Sequence, residues 1–209
     1  DMAVAAQARV LGGGPANAKC PLPIAVPSCA LPRNSEGSLC DMDIVFGPDN
    51  NDNGAWARLG SGSPNAAWVR DSIQSCASAS STVDVVSLNN GQITTASRAL
   101  ADAINASPVT WNASEWGSMP AQVNNSAITT YGKVLESQII IVESASGCAN
   151  PKLTGSSYSI QGYATAVVYD VVATGKAAKR TISMRVICDS VTERAGGGFF
   201  GTKAPPQFF

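Results

Sequence analysis

Residues 20–56 read CPLPIAVPSCALPRNSEGSLCDMDIVFGPDNNDNGAW. Prolines at positions 21, 23, 27 and 32 remove backbone donors and push the residues before them toward extended conformations. This segment therefore cannot be a helix, and we expect an extended lead-in that disulfides tie to the rest of the chain. The apolar run from Met42 to Phe46 predicts a strand, which Gly47 and Pro48 close.

Hydrophobic periodicity and turn residues predict the elements outside this stretch. Ser63 and Pro64 provide an N-cap and a first helical residue. Gly162, inside an apolar run, indicates a bulge or a close approach. We expect a helix over about 64–75, strand, turn and helix over 83–105, a long loop or short irregular elements over 106–132, a strand over 133–143 and an antiparallel hairpin over 158–173 and 179–188.

The composition indicates the broad class of protein. The chain has 209 residues, enough for a substantial core, and 14% of them are charged, against roughly 25% in ordinary soluble domains. Acidic and basic residues nearly cancel to a net charge of −1, with no long run of either sign, so nucleic acid is not an expected partner. We predict an α+β fold with an antiparallel β-sheet core and a few short helices.

Six cysteines suggest the compartment. Their number is even, no C-x-x-C pair occurs and the chain has no histidine, so disulfides are favoured over free buried thiols and over most zinc sites. Three bridges would require an oxidising, extracytoplasmic location. Of the possible pairings we favour Cys29 with Cys40, Cys148 with Cys188 and Cys20 with Cys76.

The domain organisation follows from glycine-rich breaks. We expect the end of an N-terminal helix and a glycine hinge over 1–14, a single extracytoplasmic domain over 15–195 and an aromatic arm over 196–209. The arm's phenylalanines should dock on this domain or on a neighbouring subunit. No membrane span or signal peptide is visible in the sequence, so we expect a targeting or anchoring helix upstream of Asp1.

Few residues could carry chemistry. Without histidine, Ser-His-Asp and Cys-His nucleophile pairs are excluded. Two carboxylate pairs could support acid–base chemistry, although solvated surface acids are the favoured interpretation: Asp41 with Asp43, and Asp49 with Asp52. We therefore expect no enzyme activity and no cofactor other than a weak calcium ion.

The calcium prediction rests on the loop DNNDNG, residues 49–54. Asp49, Asn51 and Asn53 supply oxygen ligands at relative positions 1, 3 and 5, and Gly54 follows at position 6. The twelfth position is Gly60, where a calcium loop has its bidentate glutamate. A plain turn held by its own side chains is the alternative.

Tryptophans offer a second kind of site. Trp56, Trp68, Trp111 and Trp116 could line a sugar-binding platform. Core packing is the favoured interpretation, for Trp56 and Trp68 above all.

The order of motifs along the chain resembles the TadE/TadG-like proteins of tight-adherence (Flp) pilus assembly. The resemblance spans nearly the whole chain. The chain is similar to the extracytoplasmic part of a shorter TadG-like member. It rests on DMAVAAQA (1–8), LPIAVPSC (22–29), FGPDNNDNGAW (46–56), the short helix ending at Cys76, VVSLNNGQITTASRALADAI (85–104), the isoleucine-valine strand after Lys133 and IQGYATAVVYDV (160–171).

This resemblance implies a non-enzymatic envelope or surface-appendage component. In that family an N-terminal transmembrane helix precedes a periplasmic domain, and longer relatives carry a further domain with an Asp-x-Ser-x-Ser metal site, which this sequence lacks. We expect a role in pilus assembly or anchoring through protein partners of the envelope apparatus or through self-association. The alternatives are a secreted structural or adhesive subunit that polymerises and a carbohydrate-binding module.

Overall fold

The computed structural model describes residues 10–11, 14–15, 20–30, 42–46, 54–60, 62–75, 85–89, 93–120, 132–143, 153, 155–173, 181–187, 190–191, 195–197, 202–203 and 207–208. The central strands are β3 (Ile24–Pro27), β4 (Met42–Phe46), β5 (Ala55–Leu59), β6 (Val85–Asn89), β7 (Leu135–Val142), β8 (Gly155–Val171) and β9 (Ile182–Val186). The helices are α1 (Ala66–Ser75), α2 (Thr94–Ala106) and α3 (Ala113–Trp116), and a 3₁₀ turn covers Ser28–Ala30. Shorter strands near the ends are β1 (Val10–Leu11), β2 (Gly14–Pro15), β10 (Ser190–Val191), β11 (Ala195–Gly197), β12 (Thr202–Lys203) and β13 (Gln207–Phe208).

A seven-stranded sheet organises these elements. Its strand order is β4-β9-β8-β6-β5-β3-β7, and β7 also pairs with β8. Strands β3, β5, β6, β8 and β7 therefore form a closed ring of pairings, here called the five-stranded ring, while β9 and β4 extend the sheet from the end of β8. All pairings in this sheet are antiparallel except β3 with β7. The predicted mixed fold with a mainly antiparallel sheet and a few short helices is confirmed.

The length of β8 makes this arrangement possible. Its 17 residues pair with β6 near the beginning, with β7 through the middle and with β9 toward the end. The register shifts between Ile141 and Val142, opposite Gly162 and Ile160. The extra residue is Gln161, next to Gly162, where a bulge or a close approach was predicted, and bulges of this kind help a sheet curve toward closure.

The interior of the five-stranded ring is filled by small and large side chains together. Ala25, Ala55 and Ala57 are fully buried, and their small side chains leave room for the aromatic side chain of Tyr163. The other buried members of this cluster are Val86, Leu88, Ile140, Val142 and Leu153. Because neighbouring residues of a strand point to opposite faces, Ile24, Val26, Trp56, Ile139 and Ile141 lie on the outside.

The outside of the five-stranded ring is covered by helices. α2 buries Ala96, Leu100 and Ile104 on one face, and α1 contributes Val69 to the same cluster. The spacing of the α2 residues is that of one helical stripe. Strand β3 and the second half of β7, residues 139–142, are therefore buried on both faces, which explains why their sequences are continuously hydrophobic.

A polar contact stabilises one end of each long helix, the N-terminal end of α1 and the C-terminal end of α2. In α1, the Asn65 side chain accepts a hydrogen bond from the Trp68 backbone N–H at 2.9 Å, which makes Asn65 the N-cap. The predicted cap at Ser63 is therefore wrong by two residues, because Asn65 reaches the free amide. At the other helix, Lys133 Nζ donates to the Asn105 carbonyl of α2 at 2.6 Å, where a cation stabilises free helical carbonyls.

The end of an N-terminal helix and a glycine hinge were predicted over residues 1–14. The structure instead has strands at Val10–Leu11 and at Gly14–Pro15. β1 pairs with β13 and β2 with β11, so tertiary pairing overrides the local helix propensity there. Backbone segments of the predicted aromatic arm, Thr202–Lys203 and Gln207–Phe208, thus pair with other parts of the chain. Residues 1–9 lie outside the described part.

Two of the six cysteines lie in the described part, and both Cys20 and Cys29 are disulfide-bonded. Cys40, Cys76, Cys148 and Cys188 lie outside it, so the predicted connectivity stays a prediction. Among the described residues, no helix has the length and hydropathy needed to cross a membrane.

Candidate interaction site on the terminal strand

Strand β4 forms the end of the seven-stranded sheet. At the other end of the strand order, β7 returns to β8, so that end is closed. β4 pairs with β9 in an uninterrupted register from Met42↔Val186 to Phe46↔Ile182. Within the described ranges, no strand pairs with the opposite side of β4. The sheet therefore presents one terminal strand in the part of the chain that is described.

An ion pair fixes β4 to β9. Arg185 Nε lies 2.9 Å from Asp43 Oδ1, and Arg185 Nη2 lies 2.8 Å from Asp43 Oδ2. This two-bond geometry uses both carboxylate oxygens and is the strongest arrangement for such a pair. The arginine side chain is 10% exposed and the aspartate side chain 37% exposed. The pair therefore lies at the margin of the sheet, with its anionic end toward solvent.

The same guanidinium holds the segment that carries α3. Arg185 Nη1 donates to the carbonyl oxygens of Trp116 and of Ser118, the latter at 2.9 Å. Gly117 lies between these two residues with a φ of 71°, a left-handed conformation that glycine adopts at little cost. Arg185 thus connects β4, β9 and the turn after α3.

One aromatic ring lies over this guanidinium, and two others pack against that ring. Arg185 Cζ lies 5.1 Å from the centroid of the Trp111 ring, within the range of a cation–π interaction. The Trp111 ring meets Trp116 at 79° and Tyr169 at 85°, with centroids 5.6 and 5.8 Å apart. Trp111 Nε1 donates to the Gly117 carbonyl at 2.9 Å. We call Asp43, Arg185, Trp111, Trp116 and Tyr169 the arginine cluster.

Tyr169 adds a titratable group to the arginine cluster. Burial is the main factor that raises its pKa well above the ordinary value of 10.0, and the Asp43 carboxylate raises it further through its charge and by accepting a hydrogen bond from the hydroxyl. The positive charge of Arg185 acts in the opposite direction. The hydroxyl therefore stays protonated at pH values where a solvated tyrosine ionises.

Replacing Tyr169 by phenylalanine should change the dependence of stability on alkaline pH. Since the folded-state pKa lies above 10.0, the unfolded chain loses its proton first and stability falls as the pH rises past about 10. At pH 8 the variant should be about 1–3 kcal/mol less stable, because a hydrogen bond to a charged group is lost. Urea unfolding from pH 8 to alkaline pH should show this difference shrinking above pH 10, and a constant difference would contradict the prediction.

The arginine cluster is built to hold structure. Its guanidinium makes four hydrogen bonds to Asp43, Trp116 and Ser118, and the Asp43 carboxylate is shared between Arg185 and Tyr169. The Asp43 carboxylate therefore joins β4 to Arg185 of β9 and to Tyr169 of β8. What the cluster provides is a rigid strand β4.

The outer part of this strand carries an exposed apolar side chain. Val45 lies two residues from Asp43, on the same face of β4, and is 53% exposed. Ile44, between them, is buried. The candidate interaction site is therefore the edge of β4 with Val45, supported from behind by the arginine cluster.

The acidic and amide residues proposed from sequence fall into two groups. Asp49, Asn51 and Asn53, the candidate calcium ligands, lie outside the described residues, as do Asp41 and Asp52. Asp43 is bound to Arg185 and is not part of a carboxylate pair in the described structure. Among the described residues, no group of three or more His, Cys, Asp or Glu side chains could hold a metal ion.

The four tryptophans do not form a flat exposed row. Trp56 and Trp116 are buried, and the guanidinium of Arg58 lies 5.4 Å from the centre of the Trp68 ring. Trp111 contacts its aromatic neighbours edge to face. Packing, which the sequence favoured for Trp56 and Trp68, thus also describes Trp116.

Sequence reasoning missed Arg185, Tyr169 and Val45 as site residues. A signal for the first was present, since Arg185 is a single cation in the apolar run ISMRVIC and buried arginines need a partner. Its partner could not be chosen without knowing that β4 lies beside β9. Val45 gave no signal, because an exposed and a buried valine look the same in sequence.

Comparison of this chain with protein-family models, with curated proteins and with solved structures gives no match.

Proposed function

We propose that this chain is a non-enzymatic component of the bacterial cell envelope or of a surface appendage, similar to TadE/TadG-like proteins, and that it acts in pilus assembly or anchoring through protein–protein contacts. The resemblance of its ordered motifs to that family motivates the biological setting. The edge of β4 supplies the contact surface.

The observation that carries this proposal is the terminal strand β4 with its exposed Val45. A terminal strand presents backbone donors and acceptors that can extend into a strand of another protein. Here the strand is held in place by the two-bond ion pair of Asp43 with Arg185. A preformed edge of this kind favours binding, because little conformational entropy is lost when the partner strand adds.

An extracytoplasmic location is part of the proposal. Cys20 and Cys29 are disulfide-bonded, and disulfides persist in oxidising compartments. We propose that all six cysteines are paired. Two of them, Cys20 and Cys29, lie in the proline-rich segment 20–30 that contains β3, so their bridges would tie this segment to other parts of the chain.

Deletion of the gene in the bacterium that encodes it should test this function. We expect the deletion strain to lose surface filaments in electron micrographs and to lose adherence to a solid surface. Wild-type protein should restore both, and so should Val85→Asp, a variant of a 41% exposed valine on β6. Val45→Asp, at the proposed contact surface, should restore neither.

Normal filaments and adherence in the deletion strain would contradict the proposed function. Immunogold labelling of the protein distinguishes the alternative in which the chain itself is the filament subunit. Labels along the length of filaments would favour that structural subunit, whereas labels confined to the envelope or the filament base favour the assembly role.

A further inference from the structure

Among the described residues, nothing protects the outer edge of β4 in the way that sheet edges are usually protected. Natural edges carry lysine, proline, a bulge or an unpaired inward charge that prevents another strand from adding. β4 is Met-Asp-Ile-Val-Phe, and its pairing with β9 is regular throughout. Its one charge, on Asp43, is matched by Arg185. The edge is therefore chemically suited to pair with a further strand.

We propose that β4 pairs antiparallel with β4 of a second copy of this chain, in the register that places Ile44 opposite Ile44 of that copy. This inference rests on the proposed function in so far as β4 is the contact surface. It names a second copy as the partner, because a strand of the same sequence can pair with all five residues of β4 without placing two carboxylates opposite each other.

Charge selects this register over its neighbours. Two-fold pairing centred on Asp43 would place two carboxylates directly opposite each other, which is destabilising. Pairing centred on Val45 would shorten the overlap and place Asp43 opposite Gly47. Pairing centred on Ile44 overlaps all five residues of β4 and places each Asp43 opposite a Val45, so that the two carboxylates do not face each other.

On the exposed face of such a dimer, Asp43 of each copy would lie opposite Val45 of the other copy. Each Val45, now 53% exposed, would be covered in part by the opposite strand. Each Asp43 would keep its own Arg185, whose two hydrogen bonds at 2.8 and 2.9 Å need no rearrangement. Because a two-fold interface uses the same surface on both copies, the assembly closes as a dimer and does not continue as a filament.

Two opposite charges at position 45 test both the surface and the register. In the proposed dimer, Val45→Asp places a carboxylate opposite Asp43 twice, and we expect the dimer Kd to rise by about tenfold. Val45→Lys removes the same apolar side chain but places a cation opposite Asp43, so its Kd should be equal to or below that of the wild type. Val85→Asp, on another strand, should leave the Kd unchanged.

Sedimentation velocity of the full chain of 209 residues, with its disulfides formed, measures these constants over a series of protein concentrations. Circular dichroism of each variant verifies that it is folded. A wild-type dimer weakened by Val45→Asp and retained in Val45→Lys supports the inference. A wild-type protein that stays monomeric at every concentration, or equal weakening by both substitutions, overturns it.

The two proposals fail separately. If the protein is monomeric but its deletion abolishes filaments, β4 self-pairing is wrong and the assembly function stands. If the charge-dependent dimer forms but deletion leaves filaments and adherence intact, the dimer is established and the assembly function is wrong.

Discussion

Replacing Arg185 by alanine should lower the free energy of unfolding by about 3–5 kcal/mol, because one substitution breaks a partly buried ion pair and also removes the donor to two backbone carbonyls. The substitution removes the two bonds to Asp43 and leaves the carbonyl oxygens of Trp116 and Ser118 without this donor. It also removes the cation above the Trp111 ring. Denaturation in urea, with the disulfides kept oxidised, measures the loss.

Asp43→Ala should be less damaging than Arg185→Ala. The Asp43 side chain is 37% exposed, against 10% for Arg185, so water can partly solvate the guanidinium atoms that lose the carboxylate. We expect a loss of about 1–3 kcal/mol. In the double variant the two losses should not add, because both substitutions break the same interaction.

Arg58→Ala is the matched control for this prediction. Arg58 also lies over a tryptophan, 5.4 Å from the Trp68 ring centre, and makes a 3.5 Å hydrogen bond to the Ser63 carbonyl in an exposed setting. Its replacement should cost less than about 1 kcal/mol. Equal losses for Arg58→Ala and Arg185→Ala would show that the arginine cluster adds nothing beyond a surface cation–π contact.

Local patterns in the sequence predicted much of the fold. The strand Met42–Phe46 was predicted at its observed bounds, and the helix predicted to end at 105 is Thr94–Ala106. Both have a clear period of apolar residues and a turn or breaker beside them, so neighbouring residues alone determine the element. The antiparallel pairing of β8 with β9 was predicted in the same way, from turn residues between two apolar runs, and is confirmed.

The closure of the five-stranded ring could not be predicted in this way. It depends on β3 pairing with β7 in parallel, between residues more than a hundred positions apart, and on β5, Ala55–Leu59, which follows an amide-rich loop and was not predicted as a strand. In β5, alanine and arginine have weak strand propensity. Its pairing with β3 and β6 supplies the stabilisation that the local sequence lacks.

The candidate site was harder to predict than the fold. Asp43 was predicted to be a solvated surface acid, with a pairing to Asp41 as the alternative, whereas its side chain binds Arg185, a residue 142 positions away. The charge of an aspartate gives no information about which strand will lie beside it. The exposure of Val45 depends equally on β4 being the terminal strand, which is a property of the whole sheet.

Replacing Tyr163 by alanine should produce the second large loss of stability, about 3–5 kcal/mol, as for other buried aromatic residues. Tyr163 is fully buried inside the five-stranded ring. Its neighbours in this cluster include Ala25, Ala55 and Ala57. Their side chains are too short to fill the space that the aromatic side chain of Tyr163 would leave. Strands that are hydrogen-bonded in a closed ring cannot move closer to one another across its interior without breaking backbone hydrogen bonds. The cavity should therefore persist.

Tyr158→Ala provides the control, since it is the same substitution on the same strand at a half-buried position beside the same cluster. Its loss should be about 1–2 kcal/mol, because less apolar area leaves water there on folding. Tyr163→Phe, which retains the ring, should cost clearly less than Tyr163→Ala. If Tyr163→Ala were no worse than Tyr158→Ala in urea unfolding, the interior of the five-stranded ring would have to collapse around the missing side chain, and the closed arrangement of β3, β5, β6, β8 and β7 would be contradicted.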